Sequence, residues 1–256
     1  MYPILFRAGD FTLYSYGVVV AFALVASGVV VHVLLRRLRL DLGLAAELTA
    51  AAALGGFAGA RLYWMVEHWS EVRGDLVHHA VAGAGFTWYG GLLGGVAGVV
   101  IVALVRRAPL GTVANVLAPA VALGYAIGRI ACQLAGDGTY GRPSDLPWAM
   151  AYPDGMMPTT VPVQPTPVYE TLTMLVIFAV LYRMARTPQP GWRVFAWFLV
   201  LSGVERFAIE FLRINQVWLL GFTASQWFAV ASLIVGSVLL FVLRARAHGR
   251  RLLAAQ

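Results

Sequence analysis

Apolar residues run through this chain in long blocks separated by short polar joints. Seven blocks are visible, at about Tyr16–Leu35, Ala45–Val66, Trp88–Val105, Val113–Leu134, Val168–Ala185, Val194–Leu212 and Phe222–Leu243. A helix that crosses a bilayer needs roughly 20 apolar residues at ~1.5 Å rise each, and every block comes near that length. The pattern predicts an all-α integral membrane protein, a single polytopic domain over residues 1–256 with seven transmembrane helices. The sixth block is the weakest. Glu205, Arg206 and Glu210 interrupt it, so hydropathy alone would pass over it.

The joints divide by charge. If the spans alternate, Arg36, Arg37, Arg39, Arg106, Arg107, Arg183, Arg186, Arg193, Arg244, Arg246, Arg250 and Arg251 fall on one face. The other face holds Arg7, Arg73 and Arg142 among Glu67, Glu71, Asp75, Asp145 and Asp154. Arginine excess marks the cytoplasmic side, so the N-terminus is expected outside and the C-terminus in the cytoplasm, across a bacterial cytoplasmic (inner) membrane. The longest joint, residues 135–167, is then external. It is rich in glycine and proline and carries Tyr140, Trp148, Met150 and Tyr152, which suits a cap at the membrane surface. Thr166-Pro167 reads as an N-cap with proline at the first helical position.

Composition sharpens this picture. The chain is 60% hydrophobic and 12% charged, against ~25% charged in soluble domains. A formal charge of +7, all of its cations arginine, would suggest nucleic acid in a soluble protein. Here the charge flanks helix ends and reads as topology, with no nucleic-acid partner. A single cysteine, Cys132, excludes an intrachain disulfide and a cysteine zinc cage. His68, His78 and His79 lie in an external joint without helical ligand spacing, so neither a metal nor a cofactor is expected. Gly55-Gly59, Gly90-Gly94, Gly91-Gly95, Gly94-Gly98 and Gly124-Gly128 have the spacing that lets helix backbones approach in lipid.

The chemistry lies in cations within or at the rim of apolar blocks: Arg61, Arg129, Arg206 and Arg213. A charge at mid-membrane costs at least ~2.5–3.5 kcal/mol and needs a partner or a task. Arg206, Glu210 and Arg213, in steps of four and three, share one helical face. They could form a self-neutralising ladder. Alternatively Glu210 fixes Arg213, or both arginines, while Arg206 points at an anion. Arg129 precedes the polar group Cys132, Gln133 and Asp137, which favours a lined cavity over snorkelling. Converging cations in an apolar bundle suit an anion drawn from the membrane, a phospholipid headgroup. A small-solute transporter is the alternative class, but it predicts inverted repeats and paired broken helices that this sequence lacks.

Several motifs carry a resemblance. Gly128-Arg129-Ile130-Ala131-Cys132-Gln133-Leu134-Ala135-Gly136-Asp137, Tyr89-Gly90-Gly91-Leu92-Leu93-Gly94, Gln164-Pro165-Thr166-Pro167-Val168-Tyr169-Glu170 and Arg206-Phe207-Ala208-Ile209-Glu210-Phe211-Leu212-Arg213 occur in this order. With Tyr16-Gly17 and Gly59-Ala60-Arg61-Leu62-Tyr63, they make the chain resemble the bacterial prolipoprotein diacylglyceryl transferases over nearly its whole length. The resemblance implies transfer of diacylglycerol from phosphatidylglycerol to the lipobox cysteine of a preprolipoprotein, releasing glycerol phosphate, by a monomer in the lipid bilayer. It implies catalytic roles for Arg129 and Arg206, and substrate contacts at Tyr16, Arg61, Gly90, Gly91, Tyr169, Glu210 and Arg213.

The chain departs from the family pattern where protons are handled. Tyr89 and Gln164 stand where the family has histidines, Cys132 and Ala135 replace asparagines, and Asp137 shortens a glutamate. Three readings follow. In the first, the transferase runs with Asp137 as base and Tyr89 as hydrogen-bond donor, or with thiol ionisation assisted by the arginines. In the second, the chain is a divergent paralogue acting on another acceptor or lipid. In the third, it binds phospholipid without transfer. The topology is testable at once: reporter fusions after Arg107 should read cytoplasm and fusions near Gly155 should read outside. The reverse at both positions would overturn the span assignment.

Overall fold

The computed structural model describes residues 1–9, 11–81 and 85–253, apart from the side chains of His78, Val81 and residues 248–253. A hairpin, β1 (Ile4–Ala8) with β2 (Phe11–Tyr14), leads into α1 (Ser15–Arg37) and α2 (Gly43–Glu67). Two short helices, α3 (Trp69–Val72) and α4 (Leu76–Val81), precede α5 (Trp88–Val105) and α6 (Leu110–Ala135). A second hairpin, β3 (Met150–Tyr152) with β4 (Thr159–Val163), precedes α7 (Thr166–Ala185) and α8 (Arg193–Glu210). A third, β5 (Val217–Leu219) with β6 (Phe222–Thr223), opens α9 (Ala224–Leu253). Helices α1, α2, α5, α6, α7 and α9 are long and apolar enough to cross a membrane. Helix α8 runs 18 residues beside them but carries Arg193, Glu205, Arg206 and Glu210.

The long helices match the all-α membrane fold expected, and three small hairpins outside the six membrane-length helices add to it. Their strands are two to five residues long and mostly exposed, so they lack the buried alternation that marks a strand in sequence. All three sit at one end of the bundle, where α1, α7 and α9 begin and α6 and α8 end. There the Tyr2 amide donates to the Leu134 carbonyl, Met156 to Ala135, and Arg142 to Leu212. The 135–167 segment is thus tied to the ends of α6 and α8. Tyr152 is fully buried within it, donating to Gln133 Oε1 at 2.9 Å and stacked on Tyr140. Burial pushes the Tyr152 phenol above its ordinary range, which keeps it a neutral donor.

Two local readings are corrected. Pro165, not Thr166, occupies the cap position of α7; Thr166 is its first helical residue and donates its hydroxyl to Thr139 O at 2.7 Å. His78 and His79 fall on α4 rather than in a loop, and the His79 carbonyl accepts a hydrogen bond from Arg61.

Glycine sets the closest packing. A Cβ built on Gly94 would lie 2.1 Å from Gly55 O, and one on Gly90 would lie 2.3 Å from Gly59 O, so α2 and α5 touch backbone to backbone. Helix α8 meets α9 in the same manner at Gly203 and Gly236. Gly128 breaks the pattern, because nothing lies within 4 Å of its added Cβ, and the Gly124-Gly128 pair is not a helix contact along its length.

At the opposite end Asn115 of α6, 6% exposed, joins the bundle together. Its Oδ1 accepts the amides of Val194 at 2.9 Å and Phe195 at 3.2 Å, capping α8, while its Nδ2 donates to Gly191 O. Replacing Gly94 by alanine should lower unfolding stability by about 1–3 kcal/mol through overpacking, whereas Gly128→Ala should leave it unchanged. Thermal melts of the two variants in detergent make the comparison.

Candidate functional site

One buried carboxylate organises the site. Glu170 lies in the first turns of α7 and is fully buried. Its Oε1 receives Arg129 Nη2 of α6 at 2.6 Å, Arg206 Nη1 of α8 at 3.1 Å and the Tyr125 hydroxyl of α6 at 2.9 Å. Its Oε2 lies 3.6 Å from Arg213 Nη1. Glu210 forms a second node. Its Oε2 pairs with Arg206 Nη2 at 2.8 Å and lies 3.8 Å from Arg213 Nε, while Oε1 accepts Asn215 Nδ2 and the Thr223 hydroxyl. Ser225 Oγ, on α9, takes a further bond from Arg206 Nη2.

The helices dictate this convergence. Arg206 and Glu210 lie one turn apart on α8 and Arg213 follows three residues past its end, so the ladder and the clamp read from sequence coexist in one arrangement. Arg129 reaches across from the final turns of α6, held also by its contact with Cys132 Sγ at 3.6 Å and by the Tyr125 ring at 5.2 Å. The three guanidiniums are unequally covered, with side-chain exposures of 9% for Arg213, 14% for Arg129 and 24% for Arg206. Arg206 is therefore the cation most open to an incoming anion. Arg129 and Arg206 bind the same carboxylate oxygen, so two forks aim at one point. An anion with several oxygens could share that point.

The loop closes over one side. Gly141 lies so close to Leu212 O that its added Cβ would sit 2.5 Å away, and the Gly141 amide donates to Gln164 O. Asp137 accepts the Thr139 amide and hydroxyl at the mouth of this segment. Tyr16 lies at the start of α1, at the same end of the bundle. Tyr169 donates to Gln164 Oε1 at 3.0 Å and accepts Trp148 Nε1 at 2.6 Å, linking α7 to the cap.

Other residues singled out in sequence lie elsewhere. Arg61 bonds the carbonyls of Gly85 and His79 and stacks on Trp64 at 4.8 Å, so it fastens the α4–α5 connection to α2. Gly90 serves the α2–α5 contact, and Gly91 lies 3.5 Å from Ala60 Cβ and Gly56 O when given a Cβ. Tyr89 stacks its ring 5.4 Å from that of Phe228 on α9, one turn beyond Ser225. It flanks the cluster, 41% exposed, and among the described residues its hydroxyl has no hydrogen-bond partner.

Sequence reasoning missed two members, Glu170 and Tyr125. The available signal was arithmetic: three cations in apolar blocks need counter-charges, and Glu170 is the one carboxylate between Asp154 and Glu205. A hollow of about 450 Å³ lies at the far end of the bundle, where Arg106 is paired with Asp41 and Glu47. Buried charge, not hollow volume, marks this site. Among the described residues no group of His, Cys, Asp and Glu side chains has metal-holding geometry.

A helical bundle with several membrane-length helices and a buried arginine cluster at one end defines a multi-pass integral membrane protein. The family model described as prolipoprotein diacylglyceryl transferase matches residues 3–242, and the chain belongs to that family as a multi-pass membrane protein. It is 34% identical over 271 residues to the phosphatidylglycerol–prolipoprotein diacylglyceryl transferase of Bordetella avium, covering 97% of both chains. It is 30% identical to the protein of that name from Polynucleobacter asymbioticus, covering 93% of this chain and 94% of the relative. The Clostridium tetani protein of the same name is 25% identical, over 92% and 95% respectively.

Removing Glu170 would leave Arg129 without a carboxylate partner and Arg206 and Arg213 with Glu210 alone. Glu170→Ala should cost about 3–5 kcal/mol of stability, whereas Asp41→Ala, which breaks the exposed pair with Arg106, should cost under about 1 kcal/mol. Denaturation in mixed micelles reads the difference.

Proposed function

We propose that this chain transfers the diacylglyceryl group of phosphatidylglycerol to the cysteine thiol of a prolipoprotein lipobox. The observation that carries the reading is the shared aim of Arg129 and Arg206 on one oxygen, Glu170 Oε1. The thiol sulfur attacks the glycerol carbon that bears the phosphate, a C–S bond forms, and the C–O bond to phosphate breaks. Glycerol phosphate leaves with the electron pair of that bond. The phosphate passes from diester to monoester and gains negative charge. Cations held beforehand at that point stabilise the transition state more than the ground state. Glu170 and Glu210 hold the forks in place before substrate arrives, so little reorganisation is needed during reaction.

The thiol proton needs an acceptor. Asp137 is assigned that role, since it lies on the same side of the bundle as Arg129 and near Cys132. Tyr89, a neutral phenol, can donate a hydrogen bond but does not readily take a proton. In the membrane, α8 is taken as a further span, the sixth in chain order, which brings the count to seven; it is paired with α9 and shielded by it and by α7. The hairpin end then faces outward, the arginine-rich end faces the cytoplasm, and the chain works as a monomer in the bacterial inner membrane.

Thioether formation on a lipobox peptide in phosphatidylglycerol liposomes tests the reading. Arg129→Lys and Arg206→Lys should each lower the rate by about 10²-fold, because a point charge cannot reproduce the fork. Asp137→Asn should cost more than Tyr89→Phe, and Tyr89→His should preserve or raise the rate. If wild type and Tyr89→His are both inactive while phosphatidylglycerol still binds, the transferase reading fails.

A further inference from the structure

The α8–α9 pair is tight at one place and open at another. A Cβ on Gly236 would lie 2.8 Å from Ala196 O, so the backbones meet there. Toward the arginine-rich end Trp197, Leu240 and Leu243 take the place of glycine, and a cavity of about 350 Å³ lies between the helices. Arg193 and Trp197 stand four residues apart on α8; Leu240, Leu243, Arg244 and Ala247 share one face of α9. On each helix the arginine stands four residues nearer the bundle end than an apolar lining residue, Trp197 on α8 and Leu240 on α9. The result is an apolar groove with a cation at its outer lip on each side.

Charge makes this groove unlike its neighbour. Arg106, in the hollow beside α2, is paired with both Asp41 and Glu47. The sequence has no acidic side chain between Glu170 and Glu205 or after Glu210, and among the described residues Arg193 and Arg244 form no ion pair. Arg193 also opens α8, where a positive charge opposes the helix dipole. The amides of Val194 and Phe195 are already taken by Asn115, so any anion here is held by side chains rather than by free helix amides. The same cap holds the 190–193 corner in place through Gly191.

We propose that this groove binds an anionic glycerophospholipid, with its phosphate between Arg193 and Arg244 and one acyl chain along Trp197, Leu240 and Leu243. Basic pockets between membrane helices at the cytoplasmic face recognise anionic headgroups in this way. A lipid rather than free phosphate fits because the wall is apolar and continues into the outer face of α9, where Val238 and Phe241 are exposed. The site is separate from the arginine cluster, since Arg206 lies thirteen residues along α8 from Arg193, about 20 Å. The assignment rests on the chain lying in a bilayer and not on the transfer reaction.

The test uses the full chain in detergent, with native mass spectrometry counting retained lipids. Dioleoyl phosphatidic acid, dioleoyl phosphatidylcholine and glycerol phosphate are offered in turn. Wild type should carry one more phosphatidic acid than R193Q/R244Q, whose affinity at this site should fall about tenfold or more. R193K/R244K should keep the lipid through its charge, and R106Q should bind as wild type does. Melting of each variant without added lipid reports folding, and thioether formation is assayed in parallel. Equal retention by R193Q/R244Q, equal binding of phosphatidylcholine, or binding of glycerol phosphate alone would overturn the site. Loss of transfer with an unchanged lipid count would strike the proposed reaction and leave this site standing.

Discussion

The Glu170 carboxylate, withdrawn from solvent at the start of α7, is the constraint on which the rest of the site depends. Three arginines, one from α6, one from α8 and one from just past the end of α8, are drawn toward it, and without it their mutual repulsion would be less well offset in a medium that screens charge poorly. Its burial is tolerable only because Arg129, Arg206 and Tyr125 bond it directly. The same carboxylate that stabilises the bundle therefore gathers the cations. Binding an external anion needs no new convergence of helices.

Much of this was legible in sequence, and the reasons are physical. Bilayer thickness imposes block length, so the helices were visible as runs, and even the charged α8 was visible through its neighbours. The arginines were visible because charge is rare in apolar blocks. The hairpins were not, since strands this short carry no period and lie largely exposed. Glu170 was hidden because a single glutamate near a helix start looks like a solvated first-turn acid. Only the packing of α6 and α8 against α7 reveals that it is buried. Arg61 misled for the opposite reason. A buried arginine suggests a ligand, but backbone carbonyls and a tryptophan face satisfy this one.

The two ends of the bundle treat cations differently. At the hairpin end Arg129, Arg206 and Arg213 are enclosed and paired with buried carboxylates. At the other end Arg106 is exposed and paired at the surface. Enclosure raises the strength of every pairing and the penalty for losing it, which suits chemistry that must hold its geometry. Exposure gives weak, salt-sensitive pairs, which suits contact with the surface of a bilayer.

Asn115 has a mechanical consequence. It fastens α8 to α6 at one end of the bundle, and Glu170 links the same two helices near the other. From Asn115 to Arg129 along α6 is fourteen residues, about 21 Å, so the two fastenings lie about two-thirds of a bilayer's ~30 Å hydrocarbon core apart. Two helices pinned at both ends behave like a braced frame. Neither can slide by one residue or rotate about its axis without breaking a buried bond at each pin. The separation of the Arg129 and Arg206 forks is thereby gauged partly from the opposite end of the bundle, by a neutral amide that touches neither.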